Sequence, residues 1–302
     1  MSDDMELPPY RTRLWILFAR DAPKAVILRR GPKKHFHLIN WDLRDNSFVH
    51  GQWLKGYVAL CDLSPLGDKL IYWAHQYHAG AEHWNRRSPS KMSGSDLFAW
   101  EPLTGADGPA SNKRYKRRKM PRYMKPIYDG NRRRRAPLRK NEGVWTAIST
   151  PPYFSALAIW PSYGHWTGGG IFLSDTVIVL NEDDDGIMPQ LNVPMPSKYR
   201  ILTRDQGSNR NPDMSACTVR PLAADVFARF TKALTDEGAR WIEWAAQREN
   251  GDLLFACDGC IYCLEEWTRR QSRDYLASAR LLIDLTGLEF RMIRAPSHAM
   301  RW

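Results

Sequence analysis

The sequence predicts an all-β dominated protein, an array of antiparallel hairpins with one or two helices toward its C-terminal end and a basic loop insertion. Three observations carry this. Short apolar runs bounded by turn residues recur along most of the 302 residues. Thirteen Trp residues suit the half-buried faces of pleated strands better than disordered tails. One segment, 112–140, gathers a large part of the positive charge.

The first strands are read from RLWILFAR (13–20), AVILRR (25–30), FHLINWDL (36–43), YVALCDL (57–63) and KLIYWAHQY (69–77), which alternate in character or are short buried runs. Between the last two, Pro65 presets its own backbone angle, Gly67 takes positive φ at no steric cost and Asp68 suits the exit, so a turn is expected. Strands resume at VWTAIS (144–149), FSALAIWP (154–161), GIFLS (170–174), TVIVLN (176–181) and YRILTR (199–204). A helix is predicted from Leu222 to Glu237, because Val226, Phe227, Phe230 and Leu234 share one face between Pro221 and Gly238. RWIEWAA (240–246) and DLLFACDGCIYCLEE (252–266) read as strands, RDYLASARLLIDL (273–285) as helical and EFRMI (289–293) as a last strand. The tail APSHAMRW is expected to dock on the body, since Trp302 is costly to leave in water.

Ordinary fractions of hydrophobic (43%) and charged (25%) residues are those of a chain that buries a sizeable core, and 1–302 is read as one domain. The acidic start MSDDMELPPY, an odd count of five Cys and the lack of any Asn-x-Ser/Thr acceptor point to a cytoplasmic protein with no targeting segment. No membrane helix is expected.

The net charge of +11 is not spread evenly. Residues 112–140 hold fourteen Lys or Arg against Asp129 alone, while the rest of the chain carries 30 basic and 32 acidic residues, a net of −2. Pro121, Pro126, Pro137 and Gly130 among like charges argue against a long helix, so a mobile insertion is expected. The polyanion-binding candidates are Lys113, Arg114, Lys116, Arg117, Arg118, Lys119, Arg122, Lys125, Arg132, Arg133, Arg134 and Arg135. Tyr115, Tyr123 and Tyr128 among them could stack on bases while guanidinium groups meet phosphates. The alternative is a solvated spacer.

GQWLKG (51–56) and GHWTGG (164–169) share Gly-x-Trp-x-x-Gly, and each is followed by strands. The stretch SPLGDKLIYWA resembles the Ser-Pro-x-Gly turn of TolB-type and related WD40-like β-propeller blades, and LLFACDGCIYCLE resembles a second blade hairpin. The repeating signature of a WD40 blade, Gly-His followed by Trp-Asp at the repeat spacing, is absent. The resemblance implies an irregular β-propeller-like array and carries over no active site.

Cys257, Cys260 and Cys263 have the spacing of cluster ligands, but Asp258-Gly259 is a two-residue hairpin signal. It places Cys257 opposite Cys260 on one face and Cys263 on the other, so structural thiols are expected, with a redox pair at Cys257 and Cys260 as the minor reading. His75, His78 and His83 fall within nine residues and could hold zinc only if a loop gathered them; loop histidines bonded to backbone or water are expected. The acidic run NEDDDG (181–186) lacks the alternation of a calcium loop. Gly168-Gly169-Gly170 opens a strand instead of a helix, which suits tight backbone packing and not phosphate binding. No Gly-x-Ser-x-Gly elbow occurs. The aromatics Tyr153, Trp160, Tyr163 and Trp166 are core residues by default, and some of them are candidates for a partner-binding rim.

These readings converge on a non-enzymatic binding or scaffold protein whose rim or basic loop contacts a protein partner or polyanion, with no cofactor and no metal. Two alternatives stay open. One is a hydrolase-type enzyme with its site in the propeller channel. The other is a nucleic-acid-binding protein acting through residues 112–140.

Overall fold

A computed structural model describes residues 11–31, 35–75, 144–161, 168–181, 190–203, 218–267 and 274–302. The alternating runs become strands in four sheets. The first sheet is the antiparallel meander β1 (Arg13–Phe18), β2 (Lys24–Arg30), β3 (His35–Asp42) and β4 (Ser47–Lys55). The second holds β5 (Tyr57–Leu63), β6 (Leu70–His75), β7 (Val144–Ser149) and β8 (Ala156–Pro161), with β11 (Gln190–Leu191) at its edge. The third is mixed: β9 (Gly170–Phe172) runs antiparallel to β10 (Val177–Leu180), which pairs in parallel with β12 (Arg200–Thr203). The fourth is β13 (Val219–Pro221), β14 (Ile242–Arg248), β15 (Leu253–Cys257), β16 (Cys260–Leu264) and β17 (Arg280–Asp284).

Strand alternation decides how the sheets stack. On β2, Val26 and Leu28 pack against Leu70, Tyr72 and Ala147 of the second sheet. Ala25 and Ile27 face the other way, onto Leu254, Ala256 and Ile261 of the fourth. The second sheet repeats the device, sending Ile71, Ile148 and Trp160 to Phe172 and Ile178 of the third. The order of packing is therefore fourth, first, second, third. Helix α1 (Ala224–Asp236) covers the outer face of the fourth sheet with Phe230 and Leu234, and Gly238 at φ +98° ends it.

The turn after β5 forms as expected. Ser64 Oγ accepts from the backbone N–H of Asp68 and of Lys69, both at 3.0 Å, and Gly67 sits at φ +75°. Strands β6 and β7 are neighbours, with His75 directly opposite Val144. Strand β6 therefore ends and β7 begins side by side, as the two strands of a tight hairpin would.

Two expectations are corrected. Residues 273–285 do not form one helix: only α2 (Tyr275–Ser278) is helical, and Arg280–Asp284 is strand β17. Strand β16 would otherwise expose an edge, and pairing Ile261 with Ile283 satisfies its backbone groups. Residues 289–293 form no strand; they belong to a strap, 285–302, that crosses the sheet stack. The strap begins on the fourth sheet, and Phe290 packs its ring against His35 (5.3 Å) and Trp53 (6.0 Å) of the first. Arg301 O then accepts from Thr150 Oγ1 beside the second sheet, and Trp302 Nε1 donates to Val193 O at 3.0 Å. The Trp302 ring lies 4.8 Å from Tyr199, so the tail docks as the sequence suggests. Strand β4 was not among the runs read as strands, because its exposed first half masks the buried GQWL that follows. Among the described residues no helix is long and apolar enough to cross a membrane.

Gly51 is a close-approach position. A Cβ there would lie 1.8 Å from Pro152 O, in the turn between β7 and β8. Next to it Gln52 N donates to Pro152 O, and Gln52 Oε1 accepts from Phe154 N and Ser155 N at 2.8 and 3.0 Å. Gly51→Ala should lower stability by about 2–3 kcal/mol, since backbone has to shift to admit a methyl group. Urea unfolding of the variant would read this, and an unchanged midpoint would remove Gly51 from that contact.

Candidate functional site

Several perturbed side chains gather in the seam between the first and fourth sheets. The Asp258-Gly259 turn fixes one wall: both residues have positive φ, 52° and 82°, as a two-residue hairpin of this hand requires. Asp258 accepts from the backbone N–H of Arg240 (3.0 Å) and of Trp241 (2.9 Å), which ties the hairpin tip to the start of β14. Gly259 nests against Thr12 and Thr286.

Arg11 and Glu243 bridge the seam. Arg11 Nη2 donates to Glu243 Oε1 at 3.3 Å, and its guanidinium carbon stands 4.2 Å from the centre of the Trp241 ring, which is 46% exposed. The Glu243 side chain is 8% exposed, and its Oε2 has no hydrogen-bond partner. Burial pushes the Glu243 carboxyl up to about 7 against the opposing pull of Arg11. One carboxyl is thus poised near neutrality beside a guanidinium.

Deeper in the same seam lies Arg29, opposite His37 on the face of the first sheet that meets the fourth. It is fully buried and has no carboxylate partner among the described residues. Its Nε donates to Leu285 O at 2.9 Å, Nη2 to Thr286 O at 3.0 Å and Nη1 to Gly31 O. Burial lowers its pKa to about 10, still far above neutrality. His37 stacks on Trp53 with ring centres 4.2 Å apart and planes 4° from parallel, and on His50 at 5.2 Å. Burial, reinforced by His50 and Arg29, holds His37 down at about 3, so it stays neutral at physiological pH.

The three cysteines stand where the hairpin puts them. Cys257 is directly opposite Cys260, and it packs with Phe230 and Phe255 under α1. Cys263 packs in the other core, with Leu14 and Trp41. Burial, with the nearby Asp258, pushes Cys257 up to about 12, and burial with Asp284 pushes Cys260 up to about 11. Both are thiols at neutral pH and neither is an activated nucleophile. Among the described residues no group of three His, Cys, Asp or Glu is arranged to hold a metal ion.

Other candidates fall as follows. His75 ends β6, with Trp73 and Tyr57 as ring neighbours, while His78 and His83 lie outside the described residues. Trp160 is 5% exposed and packs between the second and third sheets, in the core role that is the default for such aromatics. Tyr153 is half-buried beside His298, and Tyr163 and Trp166 lie outside the described residues. So do the whole of 112–140, with every basic candidate in it, and the acids Glu182 to Asp185. Gly168 and Gly170 are tight-packing positions, since added Cβ atoms would meet Trp73 Cδ1 at 2.4 Å and Val179 O at 2.4 Å.

The sequence reading passed over Arg11, Glu243 and Trp241, and over a second group at the first sheet's edge: Arg13, Trp15 and Arg30. The signal was present in RTRLW, where Arg13 and Trp15 alternate along β1 and Arg11 stands just before it. Comparison with known proteins found no family model, no curated protein and no solved structure that matches the chain.

Because the Glu243 pKa is raised in the fold, the protonated form is favoured there. Below about pH 4.5 the folded and unfolded states are both protonated and stability is full; between 4.5 and 7 the unfolded state ionises first and stability falls. Glu243→Gln should flatten this window and be more stable than wild type at pH 8 by about 1–2 kcal/mol, allowing for solvent screening. Thermal unfolding at pH 5 and pH 8 tests it. A variant that is less stable at both pH values would show that the ionised carboxylate holds the seam together.

Proposed function

We propose that the protein is a non-enzymatic binding or scaffold protein, cytoplasmic, in which a propeller-like body presents the basic segment 112–140 to a polyanion. The observation that carries this is the charge distribution: fourteen basic residues and one acid in that segment, and a net of −2 over all the rest. The pairing of His75 with Val144 supports it, because the body's hairpin is complete without residues 76–143. The serial face-to-face packing of hairpin sheets supports the propeller-like reading of the body. Of the two described rim candidates, Trp160 is buried and Tyr153 is half-buried, so Tyr153 is the one within a partner's reach.

The test is a deletion. Removing 112–140 should leave thermal unfolding intact, since so charged a segment buries little apolar area. Retention on phosphate polyanions should fall steeply with salt for the full chain and be weak at every salt concentration for the deletion variant. Unfolding of the variant would make the segment structural, and unchanged retention would place the contact on the body.

A further inference from the structure

Exposed aromatic and cationic groups lie together along β1, an edge of the first sheet. Leu14, Ile16 and Phe18 point into the seam with the fourth sheet, so Arg13 and Trp15 point to the opposite face. There Arg13 is directly opposite Arg30, and Arg30 is opposite Phe36. The Trp15 ring stacks on Phe36 at 6.3 Å, the Arg30 guanidinium lies 5.6 Å from the same ring, and Trp15 is 40% exposed. Neither Arg13 nor Arg30 is in an ion pair among the described residues. Two residues before Arg13, Arg11 lies over the exposed Trp241 on the side of this edge that faces the fourth sheet, across β1 from Trp15.

The strip sits at the end of the body where β6 ends and β7 begins. Gly56 alone joins β4 to β5, so the Lys55 end of the first sheet meets the Tyr57 end of the second. His35, one residue from the Arg30-paired Phe36, is opposite Lys55; Tyr57 is opposite His75, and His75 is opposite Val144.

We infer that the polyanion is a single-stranded nucleic acid that lies along β1, its bases stacking on Trp15 and Trp241 and its phosphates held by Arg13 and Arg30. This rests on the basic-segment reading and adds a surface on the folded body. Charge complementarity alone would suit an acidic polypeptide equally. The two exposed indole rings beside guanidinium groups decide for bases, whose π faces stack on aromatics whatever the sequence. A duplex keeps its bases stacked inside and offers only phosphates to such a strip.

Fluorescence anisotropy with the full chain tests this, using labelled oligothymidylate, a duplex of equal length and a polyglutamate peptide. Oligothymidylate should bind most tightly. Trp15→Ala should weaken it about tenfold and leave the duplex unchanged, while Trp15→Phe, which keeps a stacking ring, should retain most of the affinity. Combining Arg13→Gln with Arg30→Gln should reduce the salt slope by about 1.4. Circular dichroism checks that each variant is folded. If deletion of 112–140 abolishes binding while the β1 variants bind oligothymidylate as wild type does, the basic-segment reading stands and the β1 surface is overturned. Polyglutamate binding as tight as oligothymidylate would overturn it in favour of an acidic protein partner. A full chain that binds none of the three probes would end both readings.

Discussion

The structure depends on one constraint: its two central sheets are buried on both faces. Strand β2 shows what this demands of a sequence. Ala25, Val26, Ile27 and Leu28 are each at most 1% exposed, and successive residues serve different cores. The same holds on β6, where Leu70 and Tyr72 face the first sheet and Ile71 faces the third. Each fully buried aliphatic side chain contributes about 1.5–3 kcal/mol as an upper estimate, so these strands dominate the stability of the stack. A one-residue slip in register would exchange the residues of the two cores, whose partners differ in size.

Burial on both faces also makes an unpartnered polar group in the stack costly, and most of the buried ones find partners inside it. Tyr72 Oη donates to Phe154 O at 2.6 Å, Thr146 Oγ1 accepts from Gly169 N at 2.7 Å, and Gln52 gathers the donors of the β7–β8 turn. Two arginines join neighbouring sheets. Arg20 pairs with Asp62 at 3.4 Å and donates to Phe172 O at 2.6 Å, while Phe172 N donates to the same carboxylate at 2.7 Å. That triangle locks the third sheet to the second at one end of the stack. Arg29 acts at the other seam with carbonyl oxygens alone, which fixes where the strap after β17 must run. Removing a partner from such a buried cation is far costlier than the net worth of the interaction.

Most strands of the central sheets, β4 and the short β11 excepted, were legible in the sequence because burial on both faces leaves an uninterrupted apolar run, as in AVIL or VWTAIS, between turn residues. The Asp258-Gly259 hairpin was legible for a different reason: its turn chemistry is local and overrides the apparent metal spacing of the three cysteines. Strand β17 was not legible. Its residues Arg280 to Asp284 fit a helical pattern in isolation, and only the exposed edge of β16, supplied by residues far back in the chain, makes a strand of them. The seam site was hidden in the same way. Arg11 and Glu243 are separated by 232 positions, and nothing local to either announces that they meet. Motif spacing drew attention to cysteines and histidines, whereas the groups with perturbed chemistry were placed by packing between sheets.

The same constraint limits where the molecule can recognise anything. A sheet covered on both faces offers a partner only its strand ends and its edges, and the outer face of the fourth sheet is covered by α1. One end of the first and second sheets is tied by the Lys24–Asp68 pair and the Ser64-centred turn, with charges matched. The opposite end carries Arg13 and Arg30, which have no ion-pair partner among the described residues, the exposed ring of Trp15, and the two paired strand ends His75 and Val144. Folding that buries nearly all the apolar surface of the inner strands leaves this end, with edge strand β1 beside it, as the surface where exposed indole and guanidinium groups remain together.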